Sequence, residues 1–186
     1  MKLNLGSGSK ILEGYINVDK YEYYKPDKVH DLENFPYPFD DNSIDEILLS
    51  HVLEHIGQSP EVFLKIIKEL YRICRNNSLI KIKVPHPRHD DFISDPTHVR
   101  PITILGLQLF DKELNLKWQK LKAANTPLAL INEVNFKIKK VKYNLDGNYI
   151  KKFKDKKINE AQVDLDASIL NNVVKEIVID WLVIKS

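Results

Sequence analysis

Histidine and aspartate side chains are concentrated in one stretch of this 186-residue sequence, residues 86–101. An unperturbed imidazole has a pKa near about 6.5, so it exchanges a proton easily at neutral pH. We predict that one histidine of this stretch is a general base and that a carboxylate orients its ring. The candidate bases are His86, His89 and His98, and the candidate orienting groups are Asp91 and Asp95. Alternatively, the stretch is structural, and its His and Arg side chains satisfy backbone carbonyls and Asp95.

A second group of chemically useful residues lies near the N-terminus. Gly6-Ser7-Gly8 follows a short polar-apolar alternation, and a turn without side chains lets a ligand approach the backbone. Asp19 and Asp31 end the next two apolar runs, and Asp19 could accept hydrogen bonds from both hydroxyls of a ribose. Ile11 stands where a dinucleotide fingerprint needs a third glycine, and Asp19 comes well before the roughly twenty-residue spacing of that motif. The pattern therefore favours a nucleoside ligand without phosphates.

A third group is the segment Ser50-His51-Val52-Leu53-Glu54-His55. If this segment is helical, His51, Glu54 and His55 share one face, because residues three and four apart are neighbours on a helix. Completed by His86 or His89, these side chains could bind Mg²⁺, Mn²⁺ or Zn²⁺. We treat this metal site as an alternative that is not favoured over packing or cofactor contact.

The elements that must position these groups are strands in the first half of the chain. Residues 2–5, 16–19 and 29–31 predict three short strands, 44–49 a buried parallel strand, and 79–84 a fifth. Ser59 and Pro60 are typical of a helix start, and apolar residues recur at helical spacing up to Ile73. Asn76-Asn77 is expected to end this helix in a left-handed turn. Cys74 continues the apolar stripe, which indicates a core residue.

The second half of the chain has weaker signals. Residues 102–110 and 114–121 are expected to be helices beside the histidine-rich stretch, and 135–144 and 177–184 to be strands. Asp146-Gly147-Asn148 predicts a hairpin turn, after which 149–153 would pair back. A short helix is expected at 167–174.

Composition predicts one globular domain with a sizeable core, since 43% of the residues are hydrophobic. The single cysteine excludes an internal disulfide, and the sequence has no apolar run long enough for a membrane span. The first strand begins directly after Met1, leaving no room for a signal peptide, so we expect a cytoplasmic protein.

The net charge is only +2, but lysines cluster between Lys139 and Lys157. They indicate either a protected edge strand or an anionic partner.

The strand and turn order, the Gly-x-Gly turn and the two strand-end acids together resemble the class I S-adenosylmethionine-dependent methyltransferases. The resemblance covers about the first half of the chain and is strongest to the small bacterial methyltransferase-11-like type, through residues 39–45 and 51–55. It implies that the glycine turn contacts the methionine part of the cofactor, that Asp19 holds the ribose, and that Asp31 lies beside the adenine. The cofactor-binding residues it implies are Leu5, Gly6, Ser7, Gly8, Asp19, Asp31, Leu32, Ser50 and His51.

The resemblance also implies an α/β, Rossmann-like methyltransferase fold with a mostly parallel seven-stranded sheet and an antiparallel C-terminal strand. Residues 1–186 would form one domain, with the cofactor half at 1–84 and the acceptor loop, lid helices and last strands at 85–186. The chain departs from the family where the segment between Gly8 and Asp19 is too short for a full crossover helix. Asn76-Asn77-Ser78 also replaces the usual Pro-Gly-Gly turn. A homo-oligomer partner or the segment 102–121 could cover the side opened by this trimmed helix.

The function expected from the resemblance is methyl transfer from S-adenosyl-L-methionine, with S-adenosyl-L-homocysteine as product, to a small-molecule or sugar hydroxyl. The His/Asp-rich loop suits a polar acceptor, with His89 as the first candidate base and His86 and Asp91 beside it. Methylation of nucleic-acid bases is disfavoured, because the fourth strand lacks an Asn-Pro-Pro-Tyr type of ending and no Pro-Cys pair is present. RNA is an alternative acceptor because of the lysine cluster. A non-catalytic cofactor-binding module is the other alternative.

Overall fold

The structure is a computed structural model, and it describes residues 1–185 as an α/β fold built on one seven-stranded sheet. In the first half of the chain most connections are loops, and the one long helix lies between the fourth and fifth strands. The elements of this half are β1 (Lys2–Leu5), β2 (Ile16–Asp19), β3 (Lys28–Val29), β4 (Ile44–Ser50), α1 (Pro60–Ile73) and β5 (Cys74–Pro85). A single 3-10 turn, Glu22–Tyr24, precedes β3.

The second half of the chain contains short helices and two long strands. Its elements are α2 (Asp90–Ile93), α3 (Ile104–Gln108), α4 (Lys112–Lys120), α5 (Leu128–Asn132), β6 (Phe136–Leu145), α6 (Gly147–Lys154), α7 (Glu160–Ile169) and β7 (Val174–Val183). Among residues 1–185, none of the helices has the length and apolar character needed to cross a bilayer.

The strand order across the sheet is β3-β2-β1-β4-β5-β7-β6. The first five strands pair in parallel, whereas β7 runs antiparallel to both β5 and β6. The chain direction across the sheet reverses at β1, which has β2 on one side and β4 on the other. The carboxyl ends of β1 and β4 therefore flank a switch point, the position where open α/β sheets bind ligands.

The predicted seven-stranded, mostly parallel sheet with an antiparallel C-terminal strand is confirmed, as is the trimmed first crossover. Residues 6–15 contain no helix, and a buried asparagine holds this segment in place instead. The Asn17 side chain accepts a hydrogen bond from Leu12 N at 2.8 Å and from Asn4 Nδ2 at 2.9 Å. It also donates to Asp27 Oδ2 at 2.8 Å. This network compensates for the backbone hydrogen bonds that a helix would have made.

Helix α1 forms as the sequence predicts and packs an apolar face on β4 and β5. The Ser59 hydroxyl accepts a hydrogen bond from Val62 N at 3.2 Å, and Pro60 occupies the first turn. The buried residues of the helix are Phe63, Ile66, Ile67, Leu70 and Ile73. Cys74 is fully buried behind them, and burial raises the pKa of its thiol to about 12, which confirms a packing role.

The predicted end of this helix is wrong. Helix α1 ends at Ile73 and β5 begins at once with Cys74. Asn77 does have a left-handed backbone, with φ of 64°, but it lies inside β5. There the pairing with β4 shifts register, so the left-handed residue serves a β-bulge and not a helix terminus.

Two predictions for the C-terminal half are also wrong. Asp146-Gly147-Asn148 begins α6 and does not form a hairpin turn, because the Asp146 side chain caps the helix by accepting from Asn148 N at 2.8 Å. The segment 149–153 is therefore helical. The helix expected at 167–174 lies earlier, as α7, and Asn159 caps it.

Candidate functional site

A cleft with a volume of about 720 Å³ opens beside the carboxyl ends of β1, β2 and β4. This volume is within the usual range for small-molecule sites, about 300–1,000 Å³. Of the residues implied to bind the cofactor, the cleft is lined by Gly6, Gly8, Asp19, Asp31, Leu32 and His51. Leu5, Ser7 and Ser50 are their chain neighbours and do not line it themselves. The structure thus brings together most of that predicted set.

The glycine turn needs its two glycines for different reasons. Gly6 and Gly8 have φ of 66° and 50°, a backbone region that other residues rarely adopt. A Cβ atom at Gly6 would lie 2.5 Å from Val52 Cγ2, so this glycine allows β1 and the segment after β4 to approach. A Cβ at Gly8 would meet no protein atom within 4 Å. Gly8 therefore leaves backbone open to the cleft.

Asp19 connects the end of β2 to the glycine turn. Its Oδ2 accepts a hydrogen bond from Gly8 N at 2.8 Å, and its Oδ1 accepts from Tyr21 N at 2.9 Å. The residue is 8% exposed and lines the cleft. Because an ionised carboxylate has about four acceptor positions, each oxygen can still accept from a ligand hydroxyl. Asp19 is thus held rigidly with acceptor capacity to spare.

The end of the cleft near Asp31 includes side chains that sequence reasoning missed. Tyr21 and Tyr24 line it with their ring centroids 6.3 Å apart, in an edge-to-face arrangement. His30 Nε2 is buried and has no hydrogen-bond partner among the described residues. The run of three tyrosines between residues 21 and 24, directly after the strand-end acid, was the available sequence signal for an aromatic surface.

His51 lies at the mouth of the cleft between two carboxylates. Its Nε2 is 2.9 Å from Glu176 Oε1, and its Nδ1 is 3.4 Å from Glu54 Oε1. Glu54 first, and then Glu176, raise the pKa of His51 above its ordinary value, although burial acts in the opposite direction. Burial acts to raise the pKa of Glu176, but hydrogen bonds from Lys83, Asn144 and His51 lower it. His51 is therefore a group that favours the protonated, cationic form.

His55 lies deeper in the same wall and takes part in a hydrogen-bond relay. Its Nδ1 is 2.9 Å from Thr97 Oγ1, and Thr97 Oγ1 donates to Asp95 Oδ1 at 2.6 Å. A hydroxyl has only one proton, and Thr97 donates it to Asp95, so Thr97 must accept from His55 Nδ1. The ring proton of neutral His55 is therefore on Nδ1, and Nε2 has a lone pair. Both His55 and Thr97 line the cleft. The relay holds the His55 ring in one orientation, with Nε2 free of hydrogen-bond partners among the described residues.

The residues expected to be catalytic do not line this cleft. His89 Nδ1 accepts from Asp91 N at 3.0 Å, capping α2, and His89 Nε2 lies 3.5 Å from Asp146. With its ring 7% exposed, His89 has no free nitrogen for an acceptor in the cleft. His86 lies in a separate cavity with Arg88 and Tyr143, and burial, Arg88 and His89 lower its pKa. The geometry therefore favours His55 over His89, His86 and Asp91.

The predicted metal set is also rearranged. Residues 51–55 form turns and not a helix, and His51 has a positive φ of 57°. As a result His51 turns toward Glu176, whereas Glu54 and His55 lie near His98. The His55 and His98 ring centroids are 4.5 Å apart. Spacing alone could not reveal this pairing, because His98 arrives from a loop more than forty residues away.

The segment 102–121, which could have covered the cleft, lies elsewhere. Ile102, Gly106 and Leu107 line a different cavity against α1. The stretch that does reach the cleft is the histidine-rich loop, through Thr97 and Val99. Val99 N donates to Glu54 O at 2.9 Å, which fastens this loop to the segment after β4.

Comparison with known proteins agrees with the fold. A family model described as a methyltransferase domain matches residues 10–82. No curated protein matches the sequence significantly. An S-adenosylmethionine-dependent methyltransferase from Archaeoglobus fulgidus is similar in structure, with a TM-score of 0.58, 20% identity and coverage of 97% of this chain and 85% of that one.

Two further solved structures are similar in fold. A methyltransferase from Methanosarcina mazei has a TM-score of 0.55 and 12% identity, covering 100% of this chain and 92% of that one. The [4+2]-cyclase SpnF has a TM-score of 0.55 and 11% identity, covering 100% of this chain and 75% of that one. At these identities the similarity establishes the fold and leaves the reaction open.

The matched methyltransferase domain and the class I methyltransferase fold together indicate an S-adenosylmethionine-dependent methyltransferase. A methyltransferase of this kind uses S-adenosyl-L-methionine as its cofactor and requires a methyl acceptor.

Proposed function

We propose that this chain transfers a methyl group from S-adenosylmethionine, bound in the cleft, to a hydroxyl oxygen of a polar small molecule or glycan. The observation that carries the proposal is that one cleft has Asp19 and the glycine turn on one side and the His55–Thr97–Asp95 relay on the other. Cofactor-holding groups and an oriented base therefore face the same space.

The proposed cofactor contacts follow from the free acceptors and donors of the first side. Asp19 would accept from the ribose hydroxyls with the lone pairs that Gly8 N and Tyr21 N leave free. Gly6 and Gly8 would lie against the methionine part, and Asp31 and Leu32 beside the adenine. Ser50 and His51, at the end of β4, would lie below the sulfonium.

Methyl transfer from a sulfonium to a hydroxyl is a displacement in which the new O–C bond forms as the S–C bond breaks. The sulfonium becomes a neutral thioether, and the acceptor proton must go to a base. Deprotonating a hydroxyl in advance with an imidazole would cost about 12 kcal/mol, from pKa values of about 15.7 and 6.5. His55 Nε2 therefore takes the proton as the methyl group arrives, when the oxygen is already acidic.

The polar lining of the cleft supports a polar acceptor. His51 and His55 lie on one side and Asp31, Glu33 and Gln58 add further hydrogen-bonding groups. A quinone or lipid would leave these groups without partners, at a cost of about 1–3 kcal/mol for each buried one. A sugar or polyol could satisfy them.

RNA is a second candidate acceptor, favoured by exposed lysines on β6 and α6. Lys139, Lys140, Lys151 and Lys152 are all exposed. None of these four lines the cleft, so they would hold a nucleic-acid backbone outside it. A steep fall of RNA affinity with salt concentration would support this alternative.

Calorimetry with S-adenosylmethionine and S-adenosylhomocysteine, followed by product assays on matched hydroxyl and amine acceptors, tests the proposal. We expect both ligands to bind, Asp19→Ala to abolish binding, and Asp164→Ala, an exposed carboxylate on α7, to bind normally. Turnover should occur with hydroxyl acceptors. If neither ligand bound at millimolar concentration, the proposal would fail. Binding without turnover on a broad panel would favour a non-catalytic cofactor-binding module, and turnover restricted to amines would contradict the choice of oxygen.

A further inference from the structure

Three side chains behind and beside the cleft form a compact donor set. Glu54 and His55 belong to the segment after β4, and His98 belongs to the histidine-rich loop. One ligand-capable atom from each residue lies within 4.8 Å of the others. Two imidazoles and a carboxylate at such distances can close around a single ion.

Glu54 is the residue that most strongly indicates a bound cation. It is fully buried, at 0% exposure, and neither of its carboxylate oxygens has a hydrogen-bond partner among residues 1–185. A buried carboxylate without a partner is strongly destabilising, so such groups are ordinarily paired or bound to metals. His51 approaches at 3.4 Å but lacks hydrogen-bond geometry and is shared with Glu176. Apart from this 3.4 Å contact with His51, the Glu54 carboxylate therefore has no partner among residues 1–185.

Arginine does not supply that partner either. The backbone N atom of Arg100 donates to Glu54 O, but its side chain makes no hydrogen bond to the Glu54 carboxylate. Arg100 Nη2 donates to Gly57 O at 2.8 Å, and the guanidinium lies 4.3 Å from the centre of the Phe63 ring. The Arg100 guanidinium thus packs against α1 and does not pair with Glu54.

Both histidines of the set present the same nitrogen. His98 Nδ1 is 2.8 Å from Phe92 O, a carbonyl that can only accept, so Nδ1 carries a proton and Nε2 has the lone pair. His55 is fixed in the same tautomer by Thr97 and Asp95. A second hydrogen bond from the distal ring N–H to a carbonyl or to a carboxylate-linked group is the usual support of a metal-bound histidine. Asp95 Oδ2 is also 3.8 Å from His98 Nε2, so an acid borders the set.

We propose that Glu54, His55 and His98 form a binding site for one divalent transition metal ion. Two imidazole nitrogens with one carboxylate suit borderline ions such as Zn²⁺ or Co²⁺ better than Mg²⁺ or Ca²⁺, which prefer oxygen ligands. Three protein ligands leave at least one coordination position open. His55 lines the cleft, so an ion held by these three residues would border it.

The role of this ion rests on the proposed function, whereas the binding site itself does not. In the metal-loaded protein His55 Nε2 is a ligand and no longer a free base. The acceptor hydroxyl would occupy the open position, where the ion lowers the pKa of that hydroxyl and its proton passes to solvent water. The oxygen would then attack the methyl group, with the S–C bond breaking as the O–C bond forms; unlike in the metal-free scheme, the proton would leave before the transfer.

Titration of the chelator-treated full chain with Zn²⁺ and Co²⁺ tests the site directly. Calorimetry should give one tight site, and bound Co²⁺ should give the visible absorption of a four- or five-coordinate ion. Glu54→Gln and His98→Gln should each weaken affinity at least 100-fold. His86→Gln, which changes a histidine outside the set, should alter the affinity less than threefold. Circular dichroism and S-adenosylmethionine binding verify that each variant is folded.

The outcomes separate this proposal from the proposed function. Affinity that is equal in Glu54→Gln, His98→Gln and His86→Gln, or no stoichiometric binding at all, would overturn the metal site. Methyl transfer that resists chelator but is lost in His55→Gln would also overturn its role and would support the free imidazole base. Metal bound at this site in a protein that turns over no hydroxyl acceptor would support the site while contradicting the proposed function.

Discussion

The two sides of the cleft hold their polar groups in different ways. The strand-end wall, formed by Gly6, Gly8, Asp19 and Asp31, is fixed by the backbone, and both Asp19 oxygens already accept from main-chain N–H groups. The histidine wall consists of His51, His55 and Thr97, with Glu54 and His98 behind them, and it holds its groups through side chains. In the first wall Asp19 is held in place by the protein alone. The second contains a buried carboxylate and imidazole lone pairs that still require a partner.

This difference assigns different tasks to the walls. A wall fixed by strands and backbone hydrogen bonds suits the ribose and adenine of the cofactor, whose bonds do not change in the reaction. A wall of side chains with spare lone pairs suits the part where a proton moves, because its groups can change protonation state or ligation. Substitutions in the strand-end wall should therefore alter cofactor binding, and substitutions of His55 and Thr97 in the histidine wall should alter turnover.

The largest expected effect is on turnover in His55→Gln. Loss of a positioned proton acceptor should lower kcat by about 10²–10⁴-fold, the usual contribution of general-base catalysis. The dissociation constant for S-adenosylmethionine should change less than about threefold, a free-energy change under about 0.7 kcal/mol. Single-turnover kinetics and calorimetry measure the two quantities. Equal losses in binding and turnover would remove the distinction between the walls.

The next largest effect should be on binding in Asp19→Asn. The amide retains one acceptor oxygen but brings an NH₂ group toward either Gly8 N or Tyr21 N, and it loses the charge. Losing a hydrogen bond to a charged group costs about 1.5–3 kcal/mol, or about 10- to 150-fold in affinity. Asp164→Asn is the matched control. If Asp19→Asn bound the cofactor normally but turned over slowly, Asp19 would act in catalysis. The assignment of cofactor binding to the strand-end wall would then be wrong.

The sequence predicted the strand-end wall well because its signals are local. Gly6, Gly8 and Asp19 lie within a short span, and each ends or follows a strand that its own residues specify. Helix α1 was predictable for the same reason, since Ser59, Pro60 and the apolar spacing agree. The Asn17 network that substitutes for the trimmed helix was missed, because a lone asparagine gives no sign of burial.

The histidine wall was not predictable because it is assembled from distant segments. Glu54 and His98 are brought together by the hydrogen bond from Val99 N to Glu54 O, which no periodicity encodes. His89 resembled a base in sequence, yet it became a helix cap. The error at residues 146–153 has a related cause, since Asp-Gly-Asn suits both a hairpin turn and a helix start. The cap of Asp146 on Asn148 N decided in favour of α6.

A smaller effect should follow from Thr97→Val, which removes the middle of the relay. His55 Nδ1 would lose its acceptor and the ring its fixed orientation, so kcat should fall by about 2- to 13-fold, equivalent to a net hydrogen bond of about 0.5–1.5 kcal/mol. Asp95→Asn should have a similar effect, and the double variant should be no worse than the more severe single variant. Additive losses in this double-mutant cycle would show that the two residues act separately.

The smallest expected effect is a pH dependence of stability carried by His51. Since Glu54 and Glu176 raise its pKa in the folded protein, the folded state binds the proton more tightly than the unfolded state. The resulting stabilisation is complete below the unfolded pKa of about 6.5 and is lost as pH rises through the folded value. Because the ring is 44% exposed, the effect should not exceed about 1 kcal/mol. Urea unfolding of the wild type and His51→Gln should give a larger difference near about pH 6 than near about pH 9.

His86 should have the opposite effect on the pH dependence of stability, so it serves as an internal control. Its pKa is lowered by burial and by Arg88, so the folded state disfavours the proton and this histidine destabilises the fold as pH falls below about 6.5. His86→Gln should therefore gain stability relative to the wild type at low pH, while His51→Gln loses it. If both variants changed in the same direction, the carboxylates around His51 would not hold its proton. The cationic form of His51 at the mouth of the cleft would then be excluded as a source of stability.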